Sequence, residues 1–102
     1  MIMLNIAKKQ EGDTLTVVLE GRLDTNTSPK LLNEIEPLFG GISKLVLDFE
    51  KVNYISSAGL RALLTFAQEL QEQEKKMELC RVNEMIHDVF DVTGFLDILT
   101  IV

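Results

Sequence analysis

The spacing of apolar residues changes along the chain, and this change restricts the possible folds more than any other feature. In residues 14–20 apolar and polar side chains partly alternate, as in a half-buried β-strand, with Leu15, Val17 and Leu19 on one side. After Pro29 the period lengthens to that of a helix, in the apolar residues Leu31, Leu32, Ile35 and Leu38. This change of period predicts a fold that contains both strands and helices.

The first half of the chain predicts a hairpin followed by a helix. Residues 4–10 and 14–20 both alternate in part, and the Glu-Gly-Asp sequence at 11–13 between them is typical of a turn. Ser28 is the predicted N-cap of the first helix and Pro29 its first helical residue, because these residue types are favoured there.

The second half predicts alternating strands and helices after the glycine pair 40–41, which ends the first helix. The predicted elements are a buried strand at 44–49, a helix at 57–74, a strand at 77–82, a helix capped by Asn83 that runs through Phe90, and a terminal strand or helix-edge segment at 98–102. Successive βαβ units place neighbouring strands parallel. With the initial hairpin, the sequence predicts an α/β fold: a mixed β-sheet with helices packed mainly on one face.

Size and charge exclude several classes of protein. The chain has 102 residues, so residues 1–102 are expected to form a single domain. Its formal net charge of −6 argues against a nucleic-acid binder and against binding to an anionic membrane surface. No apolar stretch reaches the roughly 18 residues of a spanning helix, and the single cysteine, Cys80, cannot form an internal disulfide. We therefore expect a cytoplasmic protein.

The sequence contains none of the common catalytic or cofactor-binding patterns. His87 is the only histidine, so neither a serine hydrolase triad nor a multi-histidine metal site is expected. Cys80 is interpreted as a buried strand residue, because free cysteine behaves as a small hydrophobe. There is no P-loop and no G-x-G-x-x-G motif. We expect a protein that is not an enzyme and that uses no cofactor or metal.

The segment Ser56-Ser57-Ala58-Gly59 at the start of the second predicted helix is open to two interpretations. Serine is a favoured N-cap, and this structural role is sufficient to explain it. A hydroxyl there is also well placed to carry a phosphate, because a helix N-terminus offers free N–H groups and a partial positive charge. In the second interpretation, Gly59 would let the backbone of a partner approach closely.

The residues around this segment resemble the STAS domain family, named for sulfate transporters and anti-sigma factor antagonists. The matching strings are LVLDF at 45–49 with VNYISSAGLR at 52–61, LEGRLD at 19–24 and VFDVTGF at 89–95. The resemblance covers nearly the whole chain. It implies a stand-alone antagonist that binds a serine kinase/anti-sigma factor when unphosphorylated and is released on phosphorylation, and a PP2C-type phosphatase that removes the phosphate.

The resemblance also implies which residues form the site. Ser57 matches the serine of the family motif D-S-[ST]-G-L and is the expected phosphoacceptor. Ser56 stands where the motif has aspartate, and Ala58 where some members have the phosphorylated serine, so Ser56 is a second candidate. Asp24 matches a loop aspartate beside the phosphorylation site, where it either positions the acceptor or helps to cap the first helix.

A partner-binding surface is predicted around these residues. Ala58, Ala62 and Phe66 form an i, i+4 row, which is either edge packing of the core or, together with Arg61, part of a binding face. The predicted partner-binding residues are Asp24, Ser56, Ala58, Gly59, Leu60, Arg61, Ala62 and Phe66. Two other functions stay open: a STAS scaffold or sensor subunit that is never phosphorylated, and a weak nucleotide-binding domain.

Overall fold

Four strands form one mixed sheet in this computed structural model, which describes residues 4–102. The strands are β1 (Leu4–Glu11), β2 (Thr14–Leu23), β3 (Lys44–Ile55) and β4 (Lys76–Cys80), and they lie in that order across the sheet. The β1–β2 pair is an antiparallel hairpin, as predicted. The β2–β3 and β3–β4 pairs are parallel, as the βαβ units require.

The helices pack on one face of this sheet. Within residues 4–102 the α-helices are α1 (Ser28–Ile35), α2 (Ser57–Glu72) and α3 (Glu84–Thr93), with short 3₁₀ helices at Glu36–Gly41 and Phe95–Asp97. Alternate side chains of β2 and β3 are fully or almost fully buried and form one core with the helices, including Leu15, Val17, Leu19, Leu45, Leu47 and Phe49. The Phe49 ring meets Phe90 of α3 edge-on at 6.1 Å between ring centroids. The predicted fold class is confirmed, and none of the described helices is long and apolar enough to cross a membrane.

The start of α1 differs from the prediction by one residue. Thr27, not Ser28, is the N-cap, and Pro29 lies in the first turn. Ser28 already belongs to the helix, and its hydroxyl donates to the Asp24 carbonyl oxygen at 2.6 Å. The helix begins early because the turn that starts at Asp24 is itself closed by hydrogen bonds and leads directly into the first helical turn.

The end of the first helix also differs from the prediction. α1 stops at Ile35, and a 3₁₀ helix follows that contains Pro37. Proline has no N–H to continue the α-helical hydrogen bonds, and the tighter winding of the 3₁₀ helix turns Phe39 into the core. Leu38, predicted to lie on the buried stripe, is instead exposed.

Strand β3 is longer than the predicted strand at 44–49. The strand continues to Ile55, with Val52 and Ile55 buried and paired with Gly21 and Leu23 of β2. Two register shifts, one opposite Leu19 and one between Gly21 and Arg22, interrupt the alternation, which is why the sequence pattern failed here. As a result, β3 delivers the chain directly to the start of α2.

The C-terminal elements agree with the prediction in type and differ at their ends. α2 ends at Glu72 and β4 at Cys80, each two residues earlier than predicted. The Asn83 side chain caps α3 as expected, accepting from the Ile86 N–H at 2.9 Å. In the terminal segment 98–102, the structure has a single parallel bridge, between Leu79 and Ile101, beside β4.

Candidate functional site

The candidate site lies where β2 and β3 end side by side. Leu23 pairs with Ile55 at the ends of the two parallel strands. The Ser56 N–H then donates to the Leu23 carbonyl oxygen at 3.0 Å. This hydrogen bond joins the start of α2 to the end of β2, so the loop that begins at Asp24 lies beside the predicted serine pair.

The two serines have different roles. Ser56 is the N-cap of α2, with an extended backbone, and its Oγ accepts from the Gly59 N–H at 3.3 Å. Ser57 is the first residue of α2 and is exposed. The Ser57 hydroxyl makes no side-chain hydrogen bond with any residue between 4 and 102, so it is available to a reagent from solvent.

Asp24 is buried and serves as an acceptor for the turn before α1. Its Oδ1 accepts from the N–H groups of Asn26 and Thr27 at 2.9 and 3.1 Å, and the Arg22 Nε lies 3.4 Å from its Oδ2. Burial by itself raises the pKa of Asp24, but the hydrogen bonds from Thr27, Asn26 and Arg22 outweigh it and hold the pKa below the ordinary value of 3.8. Of the two roles open for Asp24, these contacts support the structural one.

Gly59 allows α2 to lie close to the ends of β2 and β3, and does not open space for the backbone of a partner. A Cβ on Gly59 would lie 2.6 Å from the Leu23 carbonyl oxygen and 2.8 Å from Cγ1 of Ile55. The absence of a side chain therefore lets α2 pack on the ends of β2 and β3. The expectation that Gly59 opens space for a partner's backbone is corrected accordingly.

Two members of the predicted row of Ala58, Ala62 and Phe66 lie in the core rather than on an exposed face. Phe66 is fully buried and meets the Phe39 ring edge-on at 5.3 Å between centroids. Ala62 is 2% exposed, so neither residue offers a surface to a partner. Ala62 and Phe66 therefore face the core, and the edge-packing alternative is the correct one for these two residues.

The accessible surface is therefore smaller than the predicted partner-binding surface. Ser57 and Arg61 are exposed, and they are neighbours because they lie four residues apart on α2. Ser56 and Ala58 are partly exposed, whereas Leu60 is buried.

Arg22 and Tyr54 belong to this end of the sheet and were not predicted. They are paired across β2 and β3, and the Arg22 guanidinium carbon lies 4.1 Å from the centroid of the Tyr54 ring. Both side chains are exposed. Each precedes a predicted site residue, Asp24 or Ser56, by two positions, but only the strand register shows that the two side chains stack.

Cys80 and His87 lie outside this site. Cys80 is half-buried on β4, where burial and the nearby Asp48 carboxylate raise the pKa of its thiol. His87 is exposed on α3. Across residues 4–102, no group of three or more histidine, cysteine, aspartate or glutamate side chains is arranged to hold a metal ion.

Comparisons with known proteins identify the family and agree with the fold. A family model described as the STAS domain matches residues 5–102. The BtrV protein of Bordetella bronchiseptica is 33% identical over 85 residues, which cover 82% of this chain and 73% of that protein. The anti-sigma-B factor antagonist of Bacillus subtilis is 26% identical over 98 residues, which cover 96% and 90%. The solved structure of the anti-sigma factor antagonist SpoIIAA in its unphosphorylated form shares the fold, with a TM-score of 0.82 at 18% identity over 96% of this chain and 88% of that one.

Proposed function

The chain belongs to the STAS domain family, and we propose that it is an anti-sigma factor antagonist controlled by phosphorylation of Ser57. Its relatives in Bacillus subtilis and Staphylococcus aureus are named anti-sigma-B factor antagonists. These relatives are regulatory binding proteins rather than enzymes. In this proposal the unphosphorylated chain binds an anti-sigma factor that is also a serine kinase, and phosphorylation releases it.

The exposed Ser57 hydroxyl at the first position of α2 is the observation that carries this proposal. Ser57 makes no side-chain hydrogen bond within the described residues, whereas the Ser56 oxygen is occupied as the N-cap acceptor for Gly59. A phosphate on Ser57 would stand at a helix N-terminus, which tolerates negative charge. A phosphate on Ser56 would be attached to the same Oγ that accepts the capping hydrogen bond from the Gly59 N–H. Ser57 is therefore favoured over Ser56 as the acceptor.

The effect of the phosphate is expected in binding rather than in folding. Phosphoserine adds about −1.5 to −2 charge at pH 7, and the chain already carries −6. Net charge alone therefore cannot decide whether the partner binds or is released. In this proposal the position of the new charge decides it, within the docking surface formed by the exposed Ser57 and Arg61 and their partly exposed neighbours Ser56 and Ala58. A PP2C-type phosphatase would restore the unphosphorylated form, and the proposed partners place this cycle in the cytoplasm.

Phosphopeptide mapping tests the proposal. The protein is incubated with ATP and the serine kinase/anti-sigma factor that it binds, and wild type is compared with Ser57→Ala and Ser56→Ala. We expect phosphate on the peptide that contains Ser57, no incorporation in Ser57→Ala, and retained incorporation in Ser56→Ala. Equal incorporation in both variants would contradict the assignment of Ser57.

Two other outcomes distinguish the alternative functions. A wild-type chain that binds its partner stably but takes up no phosphate would be a scaffold or sensor subunit. Binding of ATP or GTP without the kinase, measured by calorimetry, would favour a nucleotide-binding domain.

A further inference from the structure

The stacked pair of Arg22 and Tyr54 is an exposed and preorganised element at the same end of the sheet as the proposed phosphorylation site. The guanidinium carbon lies 4.1 Å from the ring centroid, within the range of a cation–π contact. The Arg22 side chain keeps 47% of its surface exposed, and Tyr54 is 41% exposed. A cation and an aromatic ring are therefore held together on the open surface of the protein.

The Arg22 guanidinium is held from two sides and remains available on its outer edge. Its Nε donates to Oδ2 of Asp24 at 3.4 Å, and Asp24 is itself fixed by the N–H groups of Asn26 and Thr27. The two Nη groups make no hydrogen bond with any other residue in the described range 4–102. Two parallel N–H donors on a planar guanidinium match the two oxygens of a carboxylate.

The position of the pair connects it to the proposed docking surface. Arg22 and Tyr54 are paired one register position before Leu23 and Ile55, where the two strands end. Ser56 follows Ile55 directly in the chain and is the N-cap of α2. The pair therefore lies at the same end of the sheet as Ser57, and tyrosine and arginine are enriched among residues that dominate binding energy at protein interfaces.

We infer that Arg22, stacked on Tyr54, binds an aspartate or glutamate side chain of the serine kinase/anti-sigma factor and extends the Ser57 docking surface onto β2 and β3. This inference rests on the proposed function. The partner's carboxylate lies against the outer Nη edge of Arg22, while Tyr54 supports the face of the guanidinium. The Asp24 carboxylate offsets part of the Arg22 charge at 3.4 Å, so the open Nη donors, rather than a local excess of positive charge, give this edge its preference for a carboxylate.

The test is calorimetry of binding to the kinase/anti-sigma factor that phosphorylates Ser57. Arg22→Gln removes the charge, and Arg22→Lys keeps the charge but removes the planar pair of donors. We expect both variants to bind about tenfold more weakly or worse, since a hydrogen bond to a charged group contributes about 1.5–3 kcal/mol. Tyr54→Phe keeps the aromatic face and is expected to bind like wild type.

Lys76→Gln is the matched control, because it removes the same charge from an exposed position at the opposite end of the sheet. The affinity of Lys76→Gln for the kinase/anti-sigma factor is expected to stay within about twofold of wild type, since an exposed charge far from the interface contributes little. The loss in Arg22→Gln is also expected to shrink as salt is raised from low to high concentration, because salt screens exposed charges. Thermal unfolding of each variant establishes that it is folded.

The outcomes separate this inference from the proposed function. If folded Arg22→Gln and Arg22→Lys bind the kinase like wild type, the inference is overturned while Ser57 phosphorylation still stands. If the wild type neither binds a kinase nor accepts phosphate, both fall together. The inference is also overturned if Arg22→Gln leaves kinase affinity unchanged and alters only self-association in sedimentation or binding of inorganic phosphate.

Discussion

Gly59 on α2 lies directly against the backbone of Leu23 on β2. A Cβ at position 59 would be 2.6 Å from the Leu23 carbonyl oxygen, which is closer than real Cβ contacts. The same carbonyl accepts the hydrogen bond from the Ser56 N–H. One peptide group of β2 thus fixes both the start of α2 and its distance from the sheet.

Gly59→Ala is therefore expected to destabilise the protein by about 1–3 kcal/mol, because the methyl group would push α2 away from the ends of β2 and β3. The measurement is urea unfolding followed by circular dichroism. Gly40→Ala is the control, since a Cβ there meets nothing within 4 Å and the backbone needs no positive φ. A Gly59→Ala variant as stable as Gly40→Ala would contradict the close contact.

Phe66→Ala is expected to lower the free energy of unfolding by about 3–5 kcal/mol, because it removes a fully buried ring that packs on Phe39. Any loss of partner binding in this variant would then follow from unfolding rather than from a missing contact. The matched control is Gln68→Ala on the exposed side of the same helix, with an expected change within about 0.5 kcal/mol. Equal stability of the two variants would show that Phe66 does not lie in the core.

Stability is expected to fall in acid as Asp24 becomes protonated. The folded-state pKa of Asp24 lies below 3.8, so the folded state binds fewer protons than the unfolded state in that range. Its stabilising contribution is complete above the unfolded pKa and is lost as the pH falls below 3.8 through the folded pKa. Urea unfolding between pH 5 and pH 2 measures this slope, and Asp24→Asn should reduce it. An unchanged slope in Asp24→Asn would argue against the hydrogen bonds to Asn26 and Thr27.

Glu69 is expected to give the stability a pH dependence of the opposite sign to that of Asp24. A hydrogen bond with Glu36, partial burial and repulsion from the Glu36 charge raise the pKa of Glu69 to about 7 from an ordinary 4.5. Between these pH values the folded state binds more protons, so stability falls as the pH rises from 4.5 to 7. Glu69→Gln should remove this decline and stabilise the protein at pH 8 by about 1 kcal/mol, a value reduced by solvent screening.

Glu72→Gln provides the control for this prediction, because it removes the same charge from an exposed position at the end of the same helix. Its stability curve is expected to keep the decline between pH 4.5 and pH 7. If both glutamine variants lose the decline equally, the effect comes from net charge and not from the pair of Glu69 and Glu36.

The sequence predicted those features that depend on neighbouring residues in the chain. The turn at Gly12, the cap at Asn83 and the helix start at Ser57 all follow from local chemistry, and the structure has each of them. The order of strands and helices was also predictable, because the apolar period changes clearly from one segment to the next. The mixed sheet follows from that order and from the short hairpin.

The features that the sequence did not predict depend on contacts between distant segments. The i, i+4 spacing of Ala58, Ala62 and Phe66 shows that they share one face of α2. It does not show whether that face is buried, which depends on the packing of Phe66 on Phe39. The end of β3 was missed because the two register shifts between β2 and β3 break the alternation. The stacking of Arg22 on Tyr54 exists only once β2 and β3 are paired. Of the predicted site, Ser57 and Arg61 are exposed and Ser56 and Ala58 are partly exposed. The buried positions belong to the core, except that Asp24 closes the turn before α1.

The hydrogen bond from the Ser56 N–H to Leu23 also determines how the first turn of α2 moves. Helix ends ordinarily fray, and their amide protons exchange quickly with solvent. The Ser56 amide can exchange only when the start of α2 separates from β2, a central strand of the sheet. In hydrogen–deuterium exchange this amide should therefore be protected like those of the sheet interior. In the proposed phosphorylation, the Ser57 hydroxyl would then be carried on a slowly opening part of the molecule, and the kinase would meet an already ordered target.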